Sequence, residues 1–484
     1  SPTGSSLLSR SIDLGPVSPN YGVSMVVLLR SRSVGLQLRT WAARHRLRLF
    51  WPSGQDWAVL AGKAGRFDVL FDCRIEWLRS RSGQRFYATP NRPRLPSQLA
   101  VMVVAAGRIS SYLPWRRALV PAGGLVPVGL RQAYDADPLI QAGYQGSGQT
   151  VVVFETDGFS QSDLDTFDAR YQLPPFEPTV VGGQAGPVEG EATMDLEAVH
   201  EIAPLAHLVY FNFTPYLGSA GEVIEAFSRI GQEFPGAIWS ISLGSCERAF
   251  SAADLVAMND AVVSAEDRGT TVFAASGDSG GLDCQPYNDW GDAPTADGRG
   301  VSFPADLPAV TGVGGTNLSV AENGAYVAET AWMEPALSQG SGGGYSSEFG
   351  RPTWQYGQGL PGGRGQRAVP DVSADADPVT GIAMVDDGQS QGGGTSLATP
   401  LWAGFLALVD QYLNQQGRAR VGNLNPDLYE IAAQPGQGAL HVVAAGGNDF
   451  YSCTDGYSPV TGLGSPDVWR LTQSLLELGG EQRP

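Results

Sequence analysis

Residues 237–275 read AIWSISLGSCERAFSAADLVAMNDAVVSAEDRGTTVFAA. Two apolar runs, Ile238 to Leu243 and Thr271 to Ala275, flank a stretch from Leu255 to Arg268 with helical spacing. Short apolar runs without alternation fit strands buried on both faces, and a helix joining two of them is the crossover of a parallel sheet. The same texture extends upstream, with strands at Thr150 to Phe154 and Leu208 to Phe211 and helices at Asp163 to Tyr171 and Gly221 to Glu233. The expected fold class is α/β, a parallel sheet flanked by helices, with polar chemistry gathered at the carboxyl ends of its strands.

Charge divides the chain. Up to residue 120 there are 18 Lys and Arg against 5 Asp and Glu, a net +13, while the remainder holds 13 against 44, a net −31. Opposite fields of that size attract, so the basic part is expected to dock on the acidic part rather than on nucleic acid. Val23 to Leu29 and Phe67 to Phe71 read as core strands, not as a solvated basic arm. With a helical pattern from Leu36 to Leu47, residues 21 to 112 suggest a compact α+β unit. Pro114 and the Pro121 to Pro127 segment read as an exposed linker and cleavage zone. The expected organisation is therefore a basic domain over 1–112, a linker over 113–130 and an acidic domain over 131–484. No apolar run approaches the roughly 18 residues of a membrane helix. The chain starts with Ser rather than Met, as after signal removal or trimming.

Four cysteines are too few and too scattered for a zinc site. Cys246 and Cys284 each follow a strand run, so both fall at adjacent strand ends and can pair, which implies an oxidising compartment. Cys73 and Cys453 read as free buried thiols.

Three segments carry candidate chemistry. Gly392-Gly393-Gly394 leads into Thr395-Ser396-Leu397-Ala398-Thr399-Pro400 and an apolar helical stretch from Leu401 to Leu413. A serine there is ordinarily a helix cap; the glycines and the positive helix end also suit a nucleophile beside developing negative charge. His45, His200, His207 and His441 read as structural, leaving Ser396 without an imidazole base. Glu191 and Asp195, four residues apart, share one helix face, which in most proteins is simply a solvated face. Asp278, in Ser276-Gly277-Asp278, ends a strand, where a turn aspartate is the ordinary alternative.

Taken in order, Glu191-x-x-x-Asp195, Ser276-Gly277-Asp278 and Gly394-Thr395-Ser396-x-Ala398-x-Pro400 resemble the sedolisin family of serine-carboxyl peptidases, relatives of subtilisin in fold. Ser242-Leu243-Gly244, Phe303-Pro304-Ala305, Gly342-Gly343-Gly344-Tyr345-Ser346, Val369-Pro370-Asp371-Val372-Ser373 and Thr461-Gly462-Leu463-Gly464 match as well. The resemblance runs from about residue 127 to the end, and residues 21 to 112 are similar to the family's activation prodomain. It implies Ser396 as nucleophile, Glu191 as base, Asp195 as the group orienting Glu191, and Asp278 as a protonated donor in the oxyanion hole. It further implies a zymogen acting on peptide or protein substrates in acid, with its own prodomain as inhibitor; the chain is expected to be secreted and, by default, monomeric, with no nucleic-acid or membrane partner. Calcium is usual in the family, yet the matching ligand positions hold Val442 and Ser458, so no cofactor is expected unless Asp449 and Asp455 form a substitute site. Two other readings remain. One is an ordinary subtilisin-like protease drawing an acid from Glu155-Thr156-Asp157-Gly158, for which no His-Gly-Thr-His segment supplies a base. The other is an inactive relative that only holds peptides.

Overall fold

The computed structural model describes residues 12–51, 57–79, 85–91, 93–106, 109, 124–217, 219–284, 299–334, 339–357, 365–434 and 436–479. These fall into two compact units, one within 12–109 and the other, in the main, within 124–479.

In the first unit the order is β1 (Gly22–Leu29), α1 (Gly35–Arg44), β2 (Arg48–Phe50), β3 (Trp57–Lys63), α2 (Ala64–Phe71) and β4 (Val103–Ala106). The strands pair antiparallel in the order β2-β3-β1-β4, a split βαβ arrangement. Leu38 and Trp41 of α1 and Phe67 and Phe71 of α2 pack with Val23, Met25 and Val27 of β1 in one core. Residues 67–71, expected as a strand, are helical. A five-residue apolar run does not distinguish the two states, and here the spacing decides: Phe67 and Phe71 stand one helical turn apart, with ring centroids 5.1 Å apart.

The expected linker of 113–130 lies outside the described residues up to 123, and its described end is not linker. Leu125 is buried and pairs with Ile382, and α3 (Pro127–Ala133) begins at Pro127 with Leu130 buried. Pro127 opens a helix, where its missing N–H costs nothing, instead of punctuating a loop.

The second unit is built on an eight-stranded sheet. Its elements are β5 (Thr150–Glu155), α4 (Gln161–Tyr171), β6 (Thr179–Val181), α5 (Glu191–Ile202), β7 (His207–Asn212), α6 (Ala220–Glu233), β8 (Ile238–Ile241), α7 (Ala252–Glu266), β9 (Thr271–Ala275), β10 (Thr311–Val320), β11 (Tyr326–Ala331), β12 (Val372–Asp375), the short β13 (Ala383–Val385) and α8 (Thr395–Gln415). Strand order is β11-β10-β9-β8-β5-β7-β6, with β12 also on β10. All pairings are parallel except β10 with β11. Alternate side chains serve opposite faces: Val151 and Val153 join a core with α5 and α8, whereas Val152 and Phe154 join another with α6 and α7. Registering Phe154 with both Phe211 and Ile241 brings Glu155, Asn212 and Ser242 to one sheet edge. The turn carrying Asp278 leaves β9 on the same side.

Cys246 and Cys284 form a disulfide with a sequence separation of 38. Closing a loop of that length constrains the unfolded chain by roughly 3 to 4 kcal/mol. The Cys246→Ser, Cys284→Ser double variant is expected to unfold at lower denaturant concentration by that margin, and adding reductant should move the parent but not the variant.

Candidate active site

Gly190 supplies no side chain to cap α5 and adopts φ +101°. Asp157, from the turn after β5, takes that role: its carboxylate accepts from Glu189 N at 3.0 Å and Ala192 N at 3.1 Å. This fixes Glu191 in the first turn of α5 and Asp195 one turn later on the same face. Glu191 is half-buried, while Asp195 is fully buried.

On the facing element, α8 begins directly after Gly394, whose φ is +90°. A Cβ at Gly394 would lie 2.8 Å from Asp278 Oδ2, so the chain here must be glycine for the carboxyl to approach. Ser396 is the second residue of α8 and Pro400 lies four residues on. Lacking an N–H, Pro400 leaves the Ser396 carbonyl without its helical donor. The Ser242 hydroxyl fills the gap at 3.1 Å and also contacts Asp195 Oδ2. One hydroxyl proton cannot serve both acceptors, so both contacts are satisfied together only when Asp195 itself carries a proton.

These elements bring Glu191, Asp195, Asp278 and Ser396 together at the carboxyl edge of the sheet. The Ser396 hydroxyl donates to the Ser242 carbonyl oxygen at 3.3 Å and is near enough to the Glu191 carboxyl to favour its charged form. Asp278 Oδ1 accepts from Thr395 N at 2.8 Å and Thr395 Oγ1 at 2.7 Å, which leaves Oδ2 beside Gly394. Ser396, Glu191 and Asp278 are partly exposed, as groups that meet a substrate must be.

Burial sets the electrostatics. Loss of hydration pushes Glu191 up to about 7, against the pull of its Ser396 hydrogen bond, and the negative charge of Asp278 adds to the rise. Desolvation also raises Asp278, with the Thr395 bonds opposing. Asp195 is raised well above its ordinary value by burial and then by the Glu191 charge. Glu155, fully buried at the end of β5, is raised well above its ordinary value by burial and then by the negative charges of Asp195 and Glu191. The acids therefore titrate as a set, holding shared protons well above the usual carboxyl range.

Sequence reasoning missed two members of this arrangement. Glu155 was weighed only as the acid of a subtilisin-like alternative, and Ser242 only as part of a matching segment. Their place at the ends of β5 and β8 was the available signal. That alternative loses its other acid as well, since Asp157 is committed to the start of α5. The histidines are engaged elsewhere: His200 Nε2 lies 3.1 Å from Asp168 and 2.9 Å from the Pro174 carbonyl, His207 meets Thr179, and His441 stacks on Tyr326. His45 lies in the first unit against the Trp41 carbonyl.

The positions where calcium ligands would fall do not suit that ion. Val442 is apolar, and the Ser458 hydroxyl is buried and occupied by Thr461 at 3.0 Å and Cys453 Sγ at 3.7 Å. No group of three or more His, Cys, Asp or Glu converges among the described residues. No described helix is long and apolar enough to cross a membrane.

A model of the subtilase family matches residues 179–421, half of the chain and the whole span from the start of β6 past α8. The chain belongs to the subtilase family. This subtilase is similar to kumamolisin of Bacillus sp. (strain MN-32), 34% identical over 74% of this chain and 65% of that protein. It is also similar to sedolisin of Pseudomonas sp. (strain 101), 30% identical over 74% of this chain and 62% of that protein. It thus spans less than two thirds of either relative. Among solved structures, Pseudomonas sedolisin, a serine-carboxyl proteinase complexed with two molecules of pseudo-iodotyrostatin, aligns with a TM-score of 0.64 at 28% identity, covering 74% of this chain and 100% of that one. The expected subtilisin-like sheet is the one observed, and it aligns with that of Pseudomonas sedolisin.

Helix α5 carries a second acid pair away from Ser396. Glu197 is fully buried, accepts from Val385 N at 2.9 Å, and is pushed up to about 9 by desolvation, with Glu201 and Asp163 adding to the rise. A carboxyl whose folded value exceeds its unfolded value stabilises the fold below the ordinary carboxyl range and ceases to as pH climbs through the folded value. Stability is therefore lost progressively from about pH 4.5 toward about pH 9. Glu197→Gln keeps the acceptor for Val385 without the proton requirement. It is expected to raise the melting temperature by several degrees at mildly alkaline pH and hardly at all in acid; an equal gain in both would contradict this.

Proposed function

We propose that this subtilase is an acid-active serine-carboxyl endopeptidase. The observation that carries the reading is a serine hydroxyl at a helix start beside a half-buried carboxyl, with a second carboxyl held next to Gly394 on the same edge and each described histidine engaged elsewhere. Ser396 Oγ adds to the carbonyl carbon of the scissile peptide while Glu191 takes its proton, and Asp195 holds Glu191 in place, backed by Glu155. The carbonyl oxygen becomes an oxyanion. Asp278 stabilises it only as a neutral acid donating its proton in a hydrogen bond, because a carboxylate there would repel the charge. Glu191 then returns the proton to the departing amine as the C–N bond breaks, and water hydrolyses the acyl-enzyme by the reverse sequence.

The raised Asp278 supports work in acid: as pH climbs, it loses the proton it must donate. The opposite net charges of the basic and acidic parts support the amino-terminal part acting as an inhibitor released by acidification. The disulfide supports secretion, since such bonds persist in oxidising compartments. Metal-independent folding is supported by the hydroxyl and thiol contacts of Ser458.

Peptide hydrolysis is expected to peak in acid and vanish toward neutrality, and a rate that rises through about pH 7 to 8 would refute the assignment. Ser396→Ala should lower kcat by a factor on the order of 10⁴ or more. Asp278→Ala should lower it by about 10² to 10³. After acidification the Ser396→Ala protein should stay full length on a denaturing gel while the parent is clipped upstream of Leu125, between residues 113 and 123. Calcium added to metal-stripped protein should leave the melting temperature unchanged.

A further inference from the structure

The carboxyl of Asp278 is only as well aimed as the turn that carries it, and that turn is bound to two distant segments. Five hydrogen bonds lace it to residues 340–343. Ser276 Oγ donates to the Gly342 carbonyl at 2.8 Å, and Gly342 N donates to the Gly277 carbonyl at 2.6 Å. Gly340 N donates to the Asp278 carbonyl at 2.9 Å, Gly280 N to the Gly340 carbonyl at 3.1 Å, and Gly343 N to the Gly280 carbonyl at 3.3 Å. The second segment is the loop around Asn448. Gly281 N donates to the Asn448 carbonyl at 3.3 Å, while Asn448 Nδ2 donates to the Ser341 carbonyl at 3.1 Å.

Asn448 is fully buried. Its Oδ1 accepts from Tyr451 N at 3.1 Å, and its own N–H donates to the Tyr451 carbonyl at 3.0 Å. It thus stands where the Asp278 turn, the 340–343 segment and its own loop meet, touching the first with its backbone and the second with its side chain. The Phe450 ring closes the same junction: a Cβ at Gly281 would fall 2.8 Å from it. Few side chains could replace the amide, which must donate to a carbonyl and accept from an N–H at once.

We propose that Asn448 is a positioning residue for Asp278, setting the height of the oxyanion donor through the 276–282 turn. The proposal rests on the role given to Asp278 above. Without the amide, the Ser341 carbonyl is left unpaired and the junction relaxes, displacing Asp278 from the point where charge develops. Since that charge exists only in the transition state, the loss appears in kcat and not in KM.

The test uses the full-length protein after acid activation, a quenched fluorescent peptide as substrate, and a peptidyl aldehyde as a probe of the nucleophile. Asn448→Ala is expected to lower kcat by a factor of about 10 to 10² with KM unchanged. Asn448→Asp is the informative companion. Protonated, its carboxyl donates to the Ser341 carbonyl as the amide does; ionised, it repels that oxygen. Its activity should approach the parent's at the acid end and fall at a lower pH than the parent's, with a melting temperature in acid close to the parent's.

An alanine variant with the parent's kcat, an aspartate variant with the parent's pH profile, or variants that unfold at every pH would each overturn the positioning role. A parent that cleaves no peptide in acid, or is untouched by the aldehyde, refutes the proposed function instead.

Discussion

A carboxyl group taken out of water keeps its proton unless donors or a counter-charge compensate it, and the second unit is organised around that fact. Asp195, Glu155, Glu197 and Glu201 are all fully buried on or beside one helix, with Arg131 as the nearby positive charge at Glu201. The contrast with Asp371 is instructive. That carboxylate is equally buried, yet it meets the Arg367 guanidinium, Gly312 N and the Tyr429 hydroxyl, so its oxygens are fully supplied with donors. One design neutralises a carboxylate with a cation to fasten β12; the other leaves acids short of donors so that they hold protons near Ser396.

The sheet makes this possible by being hydrophobic on both faces. Val152, Phe154, Phe211 and Trp239 fill one core and Val151, Val153, Leu397 and Phe405 the other, so charged groups are pushed toward the strand ends. Glu155 and Ser242 come immediately after the last apolar residues of β5 and β8, and Asp278 follows Ala275, the last residue of β9, after Ser276 and Gly277. Strand length thereby fixes where the chemistry sits, and the tight turns at Gly190 and Gly394 let two helices start at the same edge.

Much of this was legible in the amino-acid order because periodicity and strand length are local. The crossover units of 150–275 and the shared face of Glu191 and Asp195 follow from spacing alone, whereas the helical stretch read from Leu401 to Leu413 in fact begins earlier, at Thr395. The pairing of Cys246 with Cys284 followed from strand ends. What was not legible is non-local or ambiguous. Phe67 to Phe71 satisfies helix and strand patterns equally. Pro127 looks the same opening a helix as it does in a linker. That Glu155 touches Asp195, or that Ser242 answers a vacancy four residues before a proline, depends on the sheet register, which no single segment contains. The roles of the four carboxyl and hydroxyl groups came from resemblance, not from spacing.

Pro400 has a mechanical consequence for the site. An ordinary helix satisfies its own backbone and can shift along its axis as a rigid rod with little regard for its neighbours. Here the carbonyl of the reacting serine borrows its donor from the end of β8, so the rod is pinned to the sheet at the very residue that must not drift. Any slide of α8 along its axis must break that link, so the helix is anchored at its reacting end as well as near its far end, where Gln411 accepts from Gly146 N and Ser147 N.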